Sequence, residues 1–277
     1  MPRSARRRGL PVVLLTDFGP QSPYVGQLKL VLARLTPRSA IFDLAHDLPP
    51  QGTAAAALVL SSAWPFLPAP CVVCAVIDPG VGSQRRILAA RYAGGLLVIA
   101  PDNGILPALR SFGPPDAIHE VTNRRLFLPV VSPVFHGRDV LAPVAARLAR
   151  GLALSRVGPN AAWSSLVPPA WPAPRMGARP RGVEVIYVDR FGNLVTNLHA
   201  DILSGARIRC ARYRRRRFPF VTHYAAVARG RPLCLIGSFG HLELALRGKS
   251  AAAALRAAPG VAVSVELGGE GPAGKDR

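Results

Sequence analysis

The run Cys71-Val72-Val73-Cys74-Ala75-Val76-Ile77 leads without a break into Asp78-Pro79-Gly80-Val81-Gly82-Ser83-Gln84-Arg85-Arg86. A half-exposed strand alternates apolar with polar residues, so seven consecutive apolar positions closed by a Pro-Gly turn read as a strand covered on both faces. Upstream, Val12–Leu15 and Ala40–Leu44 are further strand candidates. Between them, Tyr24–Leu35 carries Val25, Leu28, Val31, Leu32 and Leu35 at helical spacing, and Thr53–Trp64 is a helix of small residues. Downstream, Ile87–Tyr92 and Leu96–Ala100 are strands, and Gly137–Arg150 is a helix stopped by Gly151. Apolar strands alternating with helices predict an α/β domain built on a mostly parallel sheet.

That domain is assigned to residues 12–157, after a basic tail at 1–11. Residues 158–181 form a proline-rich linker, since Pro159, Pro168, Pro169, Pro172, Pro174 and Pro180 belong in no regular helix or central strand. Short β-like segments follow over 182–267: Val183–Val188, Leu194–Leu198, Ala206–Cys210, Pro232–Ile236, Leu242–Leu246 and Val261–Val265. Their spacing predicts a smaller all-β, barrel-like domain. Residues 268–277 read as a disordered tail.

With 49% hydrophobic and 18% charged residues, the chain is globular. It has no apolar run of the roughly 18 residues that a membrane span needs. The five apolar residues after the basic start are too few for a secretory signal, so the reading is cytoplasmic. A formal charge of +20 invites nucleic acid as partner. Against that, the charge is almost all arginine and scattered, with clusters only at Arg6–Arg8 and around Arg212–Arg217, the latter placed in an exposed hairpin. Cys71 and Cys74 form a CxxC inside the buried run, and Cys210 and Cys234 stand alone. They read as small buried hydrophobes with no metal site.

Polar motifs fall where strands of an open α/β sheet end, which is where such sheets bind ligands. Thr16-Asp17-Phe18-Gly19, Asp78–Arg86 and Pro101-Asp102-Asn103-Gly104 each follow a strand. Phe135-His136-Gly137-Arg138-Asp139 opens a helix, and Asp189-Arg190-Phe191-Gly192-Asn193 follows a strand of the second domain. Singly, each is ordinary turn composition, and Asp139 could be a surface acid in a first helical turn. Gly80-Val81-Gly82 lacks the Gly-Lys-Ser/Thr of a P-loop and the third glycine of a dinucleotide fingerprint. A kinase is excluded because Asp17-Phe18-Gly19 precedes His136–Asp139, the reverse of the kinase order.

Taken in order, TDFG with PYVG (residues 16–26), DPGVGSQRR (78–86), PDNG (101–104), FHGRD (135–139), YVDRFGNLVTN (187–197) and GSFGHLELA (237–245) resemble the S-adenosyl-L-methionine hydroxide adenosyltransferase family. The family shares its fold with S-adenosyl-L-methionine fluorinases and chlorinases, and the resemblance runs from about Val12 to Val265. It implies hydrolysis of S-adenosyl-L-methionine to adenosine and methionine without a cofactor. It also implies a homotrimer whose site lies between one subunit's first domain and its neighbour's second. By position, Asp78, Arg85 and His136 match the set that holds and activates the water, with the base left open between Asp78 and His136. Asp17 matches the residue that takes the ribose hydroxyls. Asp189 and Asn193 resemble residues meeting the methionine amino group and the adenine edge. Phe191 and Phe135 would be apolar walls, and Ser238 matches a position near the methionine carboxylate. Asp102 and Asn103 are either site-lining or structural.

Ser22, Gln51 and His241 depart from the common pattern without touching the water-activating set. The halogenases carry a non-acidic residue at the position of Asp78 and a hydroxylic one where Gly137 stands, which favours the hydrolase. The other rival is a basic nucleic-acid or nucleoside-binding module.

Overall fold

The computed structural model describes residues 9–177 and 179–268. The Arg6–Arg8 cluster and the chain beyond Gly268 lie outside the described residues. The chain divides into two compact units between Ala170 and Trp171, inside the proline-rich stretch.

The first unit is a six-stranded sheet with helices: β1 (Val12–Thr16), α1 (Pro23–Leu35), β2 (Ile41–Ala45), α2 (Thr53–Ala63), β3 (Val72–Val76), β4 (Ile87–Tyr92), β5 (Leu96–Pro101), α3 (Ile105–Ala108), β6 (Ala117–Glu120) and α4 (Ala142–Ala149). Strand order is β2-β1-β3-β5-β4-β6. β1 pairs in parallel with β2 and β3, and β3 with β5. β4 runs antiparallel to β5 and β6. Only Ala93–Gly95 separates β4 from β5, and a parallel crossover needs a dozen or more residues, so antiparallel pairing is forced there.

All five residues of β1 and of β3 are buried. Successive side chains point to opposite faces, so these two strands are covered on both. From α1, Leu28 and Leu32 pack on one face beside Val144 and Leu148 of α4. Helix α1 begins where Ser22 Oγ accepts the Tyr24 N–H and Pro23 needs no partner for a missing one. α4 is preceded by a π-helical turn over Gly137–Leu141. Pro143 cannot donate to the Asp139 carbonyl, and that oxygen accepts the Leu128 N–H instead, at 2.9 Å.

This topology places the candidate chemistry. After β1 the chain goes to β2 on one side, then returns to β3 on the other. Adjacent strands whose connections depart in opposite directions leave a crevice at their carboxyl ends. Asp17 directly follows β1, and Asp78 stands two residues beyond β3.

The second unit holds β7 (Val185–Val188), β8 (Leu194–His199), β9 (Arg207–Tyr213), β10 (Arg216–Pro219), β11 (Pro232–Ile236), β12 (His241–Leu246), α5 (Ala251–Leu255) and β13 (Ser264–Gly268). They form two antiparallel sheets, β10-β9-β13 and β11-β12-β8-β7. Their inner faces share a core that includes Val185, Leu194, Leu198, Phe218, Leu242, Leu244 and Val265. Arg214–Arg217 are exposed in and after the β9–β10 turn. β13 lies three residues later than the apolar run Val261–Val265 suggests. Val261 and Val263 instead exchange backbone bonds with Val185 and Val183.

Among the described residues no helix is long and apolar enough to cross a membrane. The four cysteines are free and buried. Burial pushes the Cys71 and Cys74 thiols up to about 11 and about 12.

Candidate active site

Asp78, Arg85 and His136 form one hydrogen-bonded set. Arg85 Nε and Nη2 donate to the two Asp78 carboxylate oxygens at 2.8 and 2.5 Å, a bidentate pair that fixes both groups in one plane. Arg85 Nη2 also lies 2.8 Å from His136 Nδ1. A guanidinium only donates, so Nδ1 is the acceptor and the neutral ring carries its proton on Nε2. The two side chains of the ion pair are 7% and 13% exposed, dry enough for the pairing to count. Burial lowers the His136 pKa, and the Arg85 charge lowers it further. The Asp78 and Asp139 charges pull the other way without reversing the shift.

Two loops supply this set. The Asp78–Arg86 loop turns tightly: Ser83 Oγ donates to the Gly80 carbonyl and accepts the Arg85 N–H. Gly82, at φ +80°, packs onto the Pro133 carbonyl of the loop that carries His136. That second loop is tied by Asp139, which is 1% exposed. Its carboxylate accepts from Arg138 Nε at 2.7 Å and from the Ser132 N–H at 2.8 Å. Burial pushes its pKa up, but these bonds and the Arg138 charge outweigh burial and hold it below the usual carboxylate range. The surface-acid reading of Asp139 is therefore wrong. It anchors the loop, a role that sequence composition could not show.

Asp17, Asp78, Phe135 and His136 line a cavity of ≈ 300 Å³, together with Phe18 and Gln51. Phe18, Tyr24 and Phe135 meet edge to face, with ring centroids 5.1 to 5.7 Å apart. Asp17 Oδ2 accepts the Gln51 N–H at 2.7 Å, and Oδ1 has no hydrogen-bonding partner among the described residues. Gln51 sits at φ +61° to reach it, a contact the sequence signalled only as a residue departing from the pattern.

Asp102 and Asn103 do not line this cavity. Asp102 pairs with Arg86 at 2.5 Å and accepts the Val167 N–H at 3.0 Å. Asn103 Nδ2 donates to the Ile77 carbonyl at 2.7 Å, just before Asp78. Both therefore brace the Asp78–Arg86 loop.

In the second unit, Asp189 Oδ1 accepts the Phe191 and Asn193 N–H groups, and its Oδ2 accepts Asn193 Nδ2 at 2.9 Å. Phe191 and Asn193 line a second cavity of ≈ 570 Å³ with Tyr224, Lys249 and Ser250. Phe191 is 78% exposed, an aromatic ring presented largely to solvent at the rim of that cavity. Tyr224 donates to the buried Glu243, and neither residue stood out in the sequence. Ser238 is exposed in the turn between β11 and β12 and lines neither cavity. Among the described residues no group of three or more His, Cys, Asp or Glu side chains could hold a metal ion.

Two family models match, the SAM hydroxide adenosyltransferase N-terminal domain over residues 12–158 and the C-terminal domain over residues 183–264. The chain belongs to the SAM hydroxide adenosyltransferase family. A relative from Salinispora tropica named (R)-S-adenosyl-L-methionine hydrolase is 40% identical over 254 residues, covering 91% of this chain and 96% of that protein. One of the same name from Thermus thermophilus is 39% identical over 262 residues, covering 91% and 98%. The crystal structure of an uncharacterized conserved protein from Thermotoga maritima superimposes with a TM-score of 0.81 at 32% identity, covering 92% of this chain and 99% of that one. That protein thus shares the fold on which the Asp78, Arg85 and His136 set is built here.

Proposed function

We propose that the chain hydrolyses S-adenosyl-L-methionine to adenosine and L-methionine, by in-line attack of water on ribose C5′ and without a cofactor. The observation that carries this reading is the Asp78–Arg85–His136 set, held rigid at the edge of the cavity that Asp17 lines.

The leaving group is a neutral thioether, so no acid is needed to protonate it. The site has to hold a water in line and take its proton. With Nδ1 accepting from Arg85, His136 offers only its Nε2–H and can orient the water by donating to its oxygen. The proton then goes to Asp78, whose oxygens each keep a lone pair after accepting from Arg85. The Arg85 charge favours the hydroxide that develops. Asp17 Oδ1 would accept a ribose hydroxyl, and Phe18, Tyr24 and Phe135 would wall the sugar.

The acid at position 78 disfavours a halide by like charge. A hydroxylic side chain does not fit at Gly137, where any Cβ would stand 2.5 Å from Val76 Cγ1. We place the adenine edge and the methionine amino group at Asn193 and Asp189, against Phe191, with Ser238 near the methionine carboxylate. These come from a neighbouring subunit of a homotrimer, and the exposure of Phe191 supports such a partner. Backbone bridges from Glu184 to Ala262 and from Phe220 to Cys234 join the two sheets of the second unit and support a barrel-like closure.

Purified protein incubated with S-adenosyl-L-methionine, beside Asp78→Ala and with or without chloride, tests the proposal by chromatography. Chloride-independent adenosine and methionine, lost in the variant, are expected. Intact substrate, or a 5′-halo nucleoside, would overturn it.

A further inference from the structure

Asp78, Arg85 and His136 stand as a partition between two spaces. On one side is the ≈ 300 Å³ cavity that Asp17 and Asp78 line. On the other is a chamber of ≈ 750 Å³ that Arg85, Arg86, Arg124 and Arg125 line. His136 borders both.

The two spaces differ in charge. The smaller carries the carboxylates of Asp17 and Asp78. In the larger, Arg85 is paired with Asp78 and Arg86 with Asp102, while the exposed Arg124 and Arg125 guanidinium groups have no hydrogen-bonding or ionic partner among the described residues. One carboxylate, Glu120, also lines its wall. The larger chamber is therefore net positive. Such a field repels a sulfonium cation, whereas the acidic cavity attracts one, and neither field bars water.

The chemistry proposed above, on which this inference rests, needs two approaches. In-line displacement puts the nucleophile on the side of C5′ opposite the sulfur. A substrate seated in the Asp17 cavity closes that mouth to water. The water oxygen bonds to C5′, the C–S bond breaks with its electron pair passing to sulfur, and the water proton goes to Asp78. The sulfonium charge is thereby exchanged for one proton, which must reach solvent before the next turnover.

We propose that the arginine-lined chamber is the entrance for water, separate from the acidic cavity that admits the cationic substrate.

The native cysteines are all buried, so a thiol introduced on the chamber wall can be labelled selectively. Leu128→Cys and Val131→Cys place one there, on residues outside the reacting set. Each variant is treated with methanethiosulfonates of increasing size, from methyl to biotinyl, assayed with S-adenosyl-L-methionine, then reduced and assayed again. The same folded protein is compared with itself. The expected result is a kcat that falls with label size, roughly tenfold or more for the largest, with KM unchanged and activity restored on reduction. The same labels on Arg215→Cys, in the exposed β9–β10 turn, should leave kcat alone. A kcat indifferent to label size would overturn the proposal, as would a rise in KM alone, which would make the chamber the substrate's route. Absence of adenosine from the unlabelled variants and the native chain alike would instead overturn the hydrolysis reading, and this proposal with it.

Discussion

Gly82 joins the two loops that carry the reacting set, and replacing it with alanine should separate them. A Cβ at Gly82 would stand 2.6 Å from the Pro133 carbonyl oxygen, which is backbone and cannot swing aside. Real Cβ contacts essentially never fall below 3.0 Å, so the Asp78–Arg86 and Ser132–His136 loops must part by about 0.4 Å or more. An alanine at φ +80° adds left-handed strain of roughly 1–2 kcal/mol. The bond that spans the gap is Arg85 Nη2 to His136 Nδ1, at 2.8 Å. Lengthening it frees His136 to turn, and misplacement on this scale costs roughly tenfold to a hundredfold in rate. Steady-state kinetics with thermal denaturation would measure both effects. Gly82→Ala should lose kcat by that factor, with KM nearly constant and a modestly lowered Tm. A wild-type kcat would refute the view that the Gly82–Pro133 approach sets the Arg85–His136 geometry.

Other outcomes follow from the same structure. The rate should fall on the acid side as His136 protonates, at a pH below its ordinary 6.5, because burial and Arg85 lower its pKa; an acid limb at 6.5 or above that is absent in His136→Asn would contradict this. His241 is 5% exposed and neutral, its pKa lowered to about 4 by burial and the His199 charge. Its unfolded form takes a proton first as pH drops below about 6.5, so stability present above that pH is lost down to about 4, by about 3 kcal/mol in full. Denaturant titrations should show that slope flattened in His241→Phe, and an unchanged slope would contradict the assignment. If the site is shared between subunits, Asp78→Ala and Asn193→Ala proteins, each inactive, should recover activity when refolded together. No recovery from demonstrably mixed oligomers would place each site within one chain.

How much of this was legible in the sequence depended on whether the deciding interaction is local. The β3 run and its Asp-Pro-Gly turn read correctly because burial on both faces leaves continuous apolar residues. β6 and β10 did not stand out. β6 is a four-residue edge strand, and β10 carries two exposed arginines. β13 lies later than the apolar run because residues 261–263 pair with Val183–Val185 at the start of β7, a long-range choice that composition does not encode. Within the site, Asp17, Asp78, Arg85, Phe135 and His136 stand on motifs and converge at one crevice. The anchoring by Asp139 and Gln51 is not legible, since composition does not show which backbone N–H a carboxylate will accept from.

The most direct test of the central claim is to run the reaction in H2¹⁸O and analyse both products by mass spectrometry. Attack of water on C5′ predicts adenosine bearing one ¹⁸O at its 5′ hydroxyl and methionine bearing none. Unlabelled adenosine, or label in the methionine-derived product, would contradict it.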